Sequence, residues 1–534
     1  MLLSRRTRAA LLAAATSAVS VSLLAASAPS PVAPRGIGDP LFPHLGNPGY
    51  DVTAYDLSFA YRGDNTKPLD AVTVVQARAT DQLRRINLDF AGGKVRSVEV
   101  NGLRAKFAST GEDLVVTPAR PVGAGGSLRI TVRHTSDPAG TSDGGWVQTG
   151  DGLAMANQAD AAHRVFPSND HPSDKAYFTF RITAPKGLTA VANGLPAGRR
   201  AGAANTTWTY RTHHPMATEL AQVSIGKSAV LRRGGPHGLP VRDVVPSKDR
   251  KKLEPWLKKT PAQIAWMENK VGRYPFETYG VLAADATTGF ALETQTLSLF
   301  ERGLFTQPEY PEWYVETIMV HELAHQWFGN SVSPATWSDL WLNEGHATWY
   351  EALYAEERAK QPLQKRMKMA YRESDRWRAA GGPPAAPKKP RPGQKISLFR
   401  PVVYDGSALV LYALRQEIGH AAFDRLERAW VLRHQNANAG TADFVRLASG
   451  IAGRDLTGFF KAWLYGAKTP PMPGHPDWKS AAPTAPKGKP ATRAAAPAHT
   501  PAHTSAHPSA PTHEHAHPAH THGQHGHEQH GHAG

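Results

Sequence analysis

The pattern of hydrophobic and polar positions divides the chain into two regions with different secondary structure. From about residue 47 to 235, apolar and polar residues alternate over short segments such as "YDVTAYDLSFAYRG" and "SLRITVRHT", with Gly, Asn and Pro between them. From about 250 to 466, apolar residues recur at helical spacing, as in "YPEWYVETIMVHELAHQWFG" and "WLNEGHATWYEALYAEERAK". A few strands, such as "YGVLAADA", are interleaved early in this second region. The alternation predicts antiparallel sheets, and the helical spacing predicts a mainly helical second domain.

The two ends of the chain lack both patterns. Residues 1–28 combine a basic start, a short apolar run and the small residues "ASA", which is typical of a secretory signal peptide. The Pro- and Gly-rich residues 29–46 predict an extended lead-in. Residues 476–534 are rich in Ala, Pro, Thr and His, so we expect a disordered tail. Between these ends, we predict a β domain over 47–235 and a second domain over 236–475.

Composition narrows the class of protein. A length of 534 residues favours two or three domains, and the absence of cysteine excludes disulfides. The formal net charge is +16, yet no nucleic-acid-binding motif accompanies it, so we expect a basic, secreted, extracellular protein without a nucleic-acid partner. No segment after the N-terminus is long and apolar enough to span a bilayer, which predicts no stable membrane association. The segment "SRRTRAALL" leaves the general secretory and twin-arginine export routes both open.

The segment "HELAHQWFGN", residues 321–330, carries the main chemical signal. His321 and His325 are four residues apart and share one face of a helix, where two imidazoles can bind one metal ion. Glu322 lies beside them, placed to take a proton from the water that the ion activates. By itself, HExxH also occurs as two solvent-facing histidines on an ordinary helix. Eighteen residues after His325, however, Glu344 offers a third ligand, and three protein ligands with one open position are typical of catalytic zinc.

This HExxH-x18-E arrangement, with the phrases "HELAHQWFGN" and "WLNEG", resembles the gluzincin aminopeptidases of the M1 family. The resemblance covers residues from about 47 to 475. It implies an α+β multidomain fold, in which an antiparallel β-saddle domain precedes a thermolysin-like, mainly helical catalytic domain. It also implies one Zn²⁺ per chain, bound by His321, His325 and Glu344, with Glu322 as general base. The long C-terminal helical domain of larger members is absent from this resemblance, and we expect His346 to pack nearby rather than to bind the metal.

Two further segments carry substrate-binding residues of the family. "GFALETQT", residues 289–296, occupies the place of the GAMEN edge strand, so Glu293 is expected to bind the free α-amino group of a peptide. This segment departs from the family at Leu292, which replaces Met, and at Thr294, which replaces Asn. Gln158, in "NQADAAHRVFPSNDHPSDKAYFTF", lies where family members contact the same amino group.

A third segment, "VVYDGSALVLYALR", resembles the stretch that carries the family's catalytic tyrosine. Tyr404 is therefore expected to donate a hydrogen bond to the oxyanion that forms at the scissile carbonyl. Ser407 stands where the family commonly has glycine, which predicts a local change in the backbone near Tyr404.

Together these features predict a secreted zinc metallopeptidase of the EC 3.4.11 class that removes N-terminal residues from peptides with a free N-terminus. The alternatives are a zinc endopeptidase, an epoxide hydrolase like one branch of the family, and a non-catalytic metal-binding protein that acts through its tail. Glu293 favours the aminopeptidase over the endopeptidase. The tail segment 499–532 holds twelve of the 25 histidines, which predicts loose transition-metal binding or a flexible linker.

Overall fold

The computed structural model describes residues 36–139, 144–389 and 398–482 of the chain. The predicted signal peptide, the first part of the lead-in and the His-rich stretch 499–532 lie outside these residues. Within the described part, no helix is both long and apolar enough to cross a membrane.

The N-terminal domain is built from short β-strands, as the alternating pattern predicts. In chain order, its described strands are β1 (Tyr50–Ala60), β2 (Leu69–Ala79), β3 (Ile86–Asp89), β4 (Val95–Val100), β5 (Leu103–Arg104), β6 (Lys106–Thr110), β7 (Asp113–Thr117), β8 (Ser127–Ser136), β9 (Gly145–Thr149), β10 (Gly152–Ala156), β11 (Tyr177–Pro185), β12 (Thr189–Ala192), β13 (Leu195–Ala201), β14 (Asn205–Arg211) and β15 (Val223–Gly226).

These strands form one large sheet and two smaller ones. The large sheet has the strand order β13-β14-β11-β1-β2-β8-β4-β5, and the smaller sheets have the orders β12-β15-β10-β9 and β3-β7-β6. One face of β1 is buried at alternate residues, including Tyr55, Leu57 and Phe59. This face packs with residues such as Trp146 and Phe178 in a single apolar core, because alternate side chains of a strand point to the same side of the sheet.

The second domain combines a small mixed sheet with a group of helices. Its described elements are β16 (Ser228–Gly234), β17 (Pro240–Pro246), α1 (Arg250–Leu257), α2 (Thr260–Val271), β18 (Val281–Ala284), β19 (Ala291–Leu292), β20 (Ser298–Glu301), α3 (Gly303–Thr306), α4 (Glu312–Ala324), β21 (Ser333–Pro334), α5 (Leu340–Ala359), α6 (Leu363–Gly381), α7 (Asp405–Ile418), α8 (His420–Arg433), β22 (Asn438–Ala439), α9 (Thr441–Ala452) and α10 (Thr457–Tyr465).

The sheet of the second domain has the order β16-β17-β18-β20-β19, which leaves β19 at its edge. β16 pairs antiparallel with β17, so the domain boundary predicted at residue 235 falls inside a hairpin of the second domain. The helices pack around a separate core that contains the buried indoles of Trp327, Trp341 and Trp349. The predicted fold class, a β-rich domain followed by a mainly helical one, is confirmed.

A segment that we call the C-terminal strap, residues 467–482, closes the described chain. Trp478 is only 6% exposed and stacks on Tyr412, with ring centroids 5.9 Å apart. The Tyr412 hydroxyl lies 2.9 Å from His475 Nε2, and the Ser480 hydroxyl donates a 2.7 Å hydrogen bond to Asp375. The predicted tail begins at residue 476, whereas residues 476–482 pack on the helical domain.

Candidate metal centre and active site

Helices α4 and α5 bring the three predicted metal ligands together. His321 lies in the last turn of α4, His325 follows directly at its C-terminus, and Glu344 lies in the second turn of α5. The distances from Glu344 Oε2 to His321 Nε2 and His325 Nε2 are 3.3 and 3.4 Å. All three side chains are buried, and their ligand atoms lie within 4.8 Å of one another. The arrangement is that of a three-ligand metal site.

The other ring nitrogen of each histidine is held by a second hydrogen bond. His321 Nδ1 lies 3.0 Å from Glu351 Oε2, and His325 Nδ1 lies 2.5 Å from Asn343 Oδ1. With Nδ1 donating to these oxygens, each Nε2 keeps a lone pair free to bind a metal ion, as metal-ligating histidines require. Arg366 in turn donates a 2.8 Å bond to Glu351 Oε1. Glu351, Asn343 and Arg366 are not among the residues predicted from the sequence, although Glu351 follows Glu344 by two helical turns on the same face.

The charge balance of the site suits a dication. Burial raises the pKa of the Glu322 carboxyl to about 8, against the lowering effect of His321 and His325. Burial also opposes ionisation of Glu344, but the charge and hydrogen bonds of His321 and His325 in their protonated form outweigh it and lower the pKa of Glu344 to about 2. Glu322 Oε2 is buried without a hydrogen-bond partner in the described part of the chain. Two imidazoles, one ionised carboxylate and an adjacent orphan carboxyl oxygen fit a single zinc ion with a polar group at its open side.

Glu293 directly follows the edge strand β19, and its side chain lies beside His325. Glu293 Oε1 lies 3.9 Å from His325 Nδ1, and the side chain is only 2% exposed. Its backbone carbonyl accepts hydrogen bonds of 3.2 Å from the amide of Gln326 and 2.6 Å from that of Asn330. Both amides belong to the segment that directly follows α4. This segment therefore fixes the position of the edge strand relative to the metal ligands.

The N-terminal domain contributes Gln158 to the same site. Gln158 follows β10 and donates a 2.6 Å hydrogen bond to Glu293 Oε1, while Asn343 donates a 3.1 Å bond to the same oxygen. The position of the two domains is fixed nearby by Lys175, whose ammonium group donates to the carbonyls of Asn330 and Ser331 at 2.8 and 2.9 Å. The structure therefore brings together the residues predicted to bind metal and substrate, which are His321, His325, Glu344, Glu293 and Gln158.

Tyr404 lies at the N-terminus of α7 and faces the metal ligands. Its ring centroid is 6.1 Å from that of His321, and its hydroxyl is hydrogen-bonded to Glu344. Burial, together with the charges of Glu344, Glu293 and Glu322, holds the pKa of this phenol well above its usual value. The group is therefore a protonated hydrogen-bond donor at neutral pH.

The departures from the family pattern lie beside the site rather than in it. Thr294 is buried, and its hydroxyl donates to the carbonyl of Leu297 in the turn after β19. Ser407 lies in the first turn of α7, three residues after Tyr404, and its hydroxyl donates a 3.3 Å bond to the carbonyl of Val402. His346 points away from the metal ligands, since its Nδ1 bonds the Leu342 carbonyl and its ring stacks on Phe328 at 4.4 Å.

Two family models match the chain. The model of the peptidase family M1 domain matches residues 256–463, and that of the peptidase M1 N-terminal domain matches residues 54–220. The chain belongs to peptidase family M1. The resemblance inferred from the HExxH-x18-E spacing is thus confirmed, and so is zinc as the metal of the family.

Curated relatives of this M1 peptidase are larger aminopeptidases. The chain is 25% identical to glutamyl aminopeptidase of Mus musculus over 53% of its own length and 31% of the relative. It is 32% identical to aminopeptidase N of Rattus norvegicus over 37% of its length and 22% of the relative. With aminopeptidase N of Streptomyces lividans, it shares 28% identity over 57% of its length and 36% of the relative. It therefore spans about a third or less of the length of these relatives.

Solved structures match the M1 peptidase over nearly all of their length. An M1 zinc metallopeptidase from Deinococcus radiodurans superposes with a TM-score of 0.71 at 27% identity, covering 82% of this chain and 99% of the other. A mutant of that Deinococcus enzyme bound to a Tyr-Ser-Ala substrate matches with a TM-score of 0.70 at 28% identity, covering 83% and 100% of the two chains. The two-domain architecture is thus shared with a zinc metallopeptidase of similar extent.

Proposed function

We propose that this M1 peptidase is a secreted zinc aminopeptidase that releases the N-terminal residue from peptides with a free α-amine. The observation that carries the proposal is the carboxylate of Glu293, which lies 3.9 Å from His325 and accepts a hydrogen bond from Gln158. A fixed carboxylate beside the metal ligands attracts an α-ammonium group, which only the first residue of a peptide carries. A substrate bound in this way presents its first peptide bond to the metal site.

In the proposed hydrolysis, Glu322 transfers protons and Tyr404 stabilises the negative charge on the carbonyl oxygen. When bound, zinc lowers the pKa of a coordinated water and polarises the scissile carbonyl. The charge of the bound ion would lower the pKa of Glu322 from about 8 and so favour its carboxylate form. The carboxylate takes a proton from the attacking water as the new carbon–oxygen bond forms, and it then carries this proton to the leaving amine as the carbon–nitrogen bond breaks. Tyr404 donates a hydrogen bond to the carbonyl oxygen as negative charge develops there. This donor is available because the phenol stays protonated over the working pH range.

Secretion is supported by the sequence of the N-terminus. The basic start, the short apolar run and the "ASA" segment of residues 1–28 match a cleavable signal peptide. A chain without cysteine needs no disulfide formation after export. N-terminal sequencing of the protein recovered from the medium of an expressing host should begin shortly after Ala28. Retention of the whole chain inside the cells would contradict export.

The decisive experiment uses a panel of aminoacyl arylamides, each with a free or an acetylated α-amine. We expect cleavage of the free-amine compounds only, with loss of activity on chelation and recovery when zinc is returned. Cleavage of the acetylated compounds would instead support an endopeptidase. Hydrolysis of an epoxide without peptide cleavage would support the epoxide hydrolase alternative.

Two variants assign the chemistry to residues. Glu322→Gln should lower kcat by at least about a hundredfold, because the amide cannot accept the proton of the attacking water, while the bound zinc remains. Glu293→Gln should raise KM for free-amine substrates, because the amide lacks the charge that attracts the α-ammonium. The ratio of kcat/KM for free-amine substrates to kcat/KM for acetylated substrates should fall. A Glu322→Gln variant with full activity would refute its role as general base.

A further inference from the structure

A cleft open to solvent lies next to the metal site, on the side of His321. It has a volume of about 460 Å³ and runs between the N-terminal half of α4 and the first half of α6. Trp313 and Tyr314 of α4 and Trp478 of the C-terminal strap belong to its lining. Glu351, which bonds His321 Nδ1, belongs to the lining, so one side chain separates the cleft from a metal ligand.

The lining of this cleft, which we call the basic cleft, is rich in cationic side chains. Five of its described lining residues carry a positive charge, and Glu351 alone is acidic; the cations are Lys365, Arg366, Lys368, Arg372 and Lys479. Arg366 is neutralised by bonds to Glu351 and Asp405, each 2.8 Å long.

The positive charges of the other four lining residues are less fully neutralised by nearby acidic groups. Lys368 and Arg372 form ion pairs at the surface, with Asp477 at 3.6 Å and Glu373 at 3.1 Å. Lys365 and Lys479 are exposed and take part in none of the ion pairs among the described residues. Two uncompensated ammonium groups at the mouth of an aromatic-walled cleft create a positive potential that attracts an anion.

The direction of a bound peptide leads towards this cleft. Glu293, the proposed amine-binding group, lies beside His325, whereas Glu351 lies beside His321, one turn earlier in α4. A peptide that starts at Glu293 and crosses the metal ligands therefore runs towards the N-terminus of α4. Trp313 and Tyr314 lie two turns before His321, which is about 10 Å along the helix axis.

We propose that the basic cleft binds the C-terminal carboxylate of a short peptide and so selects tripeptides and tetrapeptides as substrates. An extended chain covers about 3.3 Å per residue, so two or three residues beyond the scissile bond reach the cleft from the metal ligands. Lys365 and Lys479 then face the carboxylate, while Trp313 contacts the side chains that precede it. This inference rests on the aminopeptidase function proposed above.

The test compares peptides that differ only in their C-terminal charge. For the full-length zinc-loaded enzyme in about 0.05 M salt, kcat/KM for Leu-Ala-Ala should exceed that for Leu-Ala-Ala-amide by about three- to tenfold. Among free acids from Leu-Ala to Leu-(Ala)5, kcat/KM should peak at three or four residues. Salt at about 0.5 M should bring the ratio of acid to amide close to unity, because it screens exposed charges.

Charge-reversal variants assign the effect to the cleft. The double variant Lys365→Glu/Lys479→Glu should abolish or invert the ratio of acid to amide, and Lys365→Gln/Lys479→Gln should reduce it. Lys461→Glu is the matched control, since Lys461 is an exposed lysine of α10 outside the lining of the cleft, and it should keep the wild-type ratio.

Each other outcome overturns the inference. Equal values for acid and amide at low salt exclude a carboxylate site, as does an equal effect of the cleft and control variants. If kcat/KM for Leu-Ala-Glu-amide equals that for Leu-Ala-Ala and no length optimum is found, the cleft binds acidic side chains rather than the C-terminal carboxylate. If the wild-type enzyme does not cleave leucine arylamide, the proposed aminopeptidase function is refuted. If it cleaves leucine arylamide but does not distinguish acid from amide, only the carboxylate site is refuted.

Discussion

At the residue scale, Asn343 joins the predicted metal ligands to Glu293, the proposed amine-binding group. Its carbonyl oxygen accepts the Nδ1 proton of His325, and its amide donates a 3.1 Å bond to Glu293. The position of one side chain thus controls the orientation of both His325, a predicted zinc ligand, and Glu293, the proposed substrate-binding carboxylate. Nothing in the HExxH pattern identifies this residue, although it directly precedes Glu344 in the chain.

Asn343→Ala should therefore weaken zinc binding and substrate binding together. We expect a loss of about ten- to a hundredfold in zinc affinity, the range found when a hydrogen-bond partner of a ligating histidine is removed. KM for free-amine substrates should also rise, because Glu293 loses a donor. Zinc affinity is measured by competition with a chromogenic chelator. Asn169→Ala, at a buried asparagine of the N-terminal domain, controls for a general loss of stability and should leave zinc affinity unchanged.

Glu219 is a buried acid that the proposed catalysis does not use. It is 4% exposed, its Oε2 has no hydrogen-bond partner within the described residues, and burial raises its pKa from 4.5 to about 8. Because the folded protein holds this proton more tightly than the unfolded chain, the stabilising contribution is complete below pH 4.5 and is lost as the pH rises through about 8.

Glu219→Gln should consequently become more stable relative to the wild type as the pH rises. The difference in the free energy of unfolding should grow by at least about 1 kcal/mol between pH 5 and pH 8, since the amide carries no proton to lose. Urea denaturation at the two pH values measures it. Glu309→Gln, at an exposed glutamate, provides the control. Parallel stability curves for wild type and Glu219→Gln would show that Glu219 is ionised in the folded protein.

At the scale of elements, α5 and α7 approach closely beside the active site. A Cβ atom built on Gly345 would lie 2.6 Å from Cβ of Ser407, well inside van der Waals contact. Gly345 follows the zinc ligand Glu344, and Ser407 is three residues after Tyr404. The contact between these two small residues therefore sets the distance between a metal ligand and the proposed oxyanion donor.

Gly345→Ala should push α7 away from α5 and displace Tyr404. We expect a destabilisation of about 1–3 kcal/mol, as for other overpacked core sites, and a lower kcat with KM changed less. Adding Ser407→Gly should restore part of both losses, since it removes the atom that clashes. A double-mutant cycle on thermal stability and kcat measures this coupling. Additive effects of the two substitutions would indicate that the helices adjust without moving Tyr404.

At the scale of the whole molecule, the packed chain extends beyond the predicted tail boundary. Trp478 and Ser480 of the C-terminal strap contact α6 and α7, and Lys479 lies at the basic cleft. The composition of this region resembles that of the following Ala-, Pro- and His-rich residues. A single tryptophan is the sequence signal that separates the strap from them.

Deletion of residues 483–534 should leave the stability and the arylamide activity of the enzyme unchanged within about twofold. Deletion of residues 476–534 also removes Trp478 and should cost about 3 kcal/mol of stability, in the range of other buried aromatic deletions. Trp478→Ala in the full-length chain should reproduce most of that loss. Thermal unfolding and arylamide hydrolysis are the measurements. Loss of all activity on deletion of 483–534 would favour a function carried by the His-rich tail.

The sequence by itself determined the features that depend on local spacing. Alternation predicted the β domain, the four-residue spacing of His321 and His325 predicted a shared helix face, and the eighteen-residue interval placed Glu344 within reach of them. These predictions hold because helix and strand geometry relates neighbouring positions in a fixed way. The seven-residue spacing of Glu351 from Glu344 is a signal of the same kind, because it places both side chains on one face of α5.

Only the tertiary structure decided which distant segments meet. Gln158 reaches Glu293 across 135 residues, and Lys175 reaches Asn330 across 155 residues, from one domain to the other. The basic cleft likewise joins α6 to the C-terminal strap, and its lysines are unremarkable in the sequence. No local periodicity encodes such contacts, because they depend on how whole elements pack. The cluster of His321, His325 and Glu344 could therefore be predicted from the chain. The residues that orient this cluster and the surface beyond it could not.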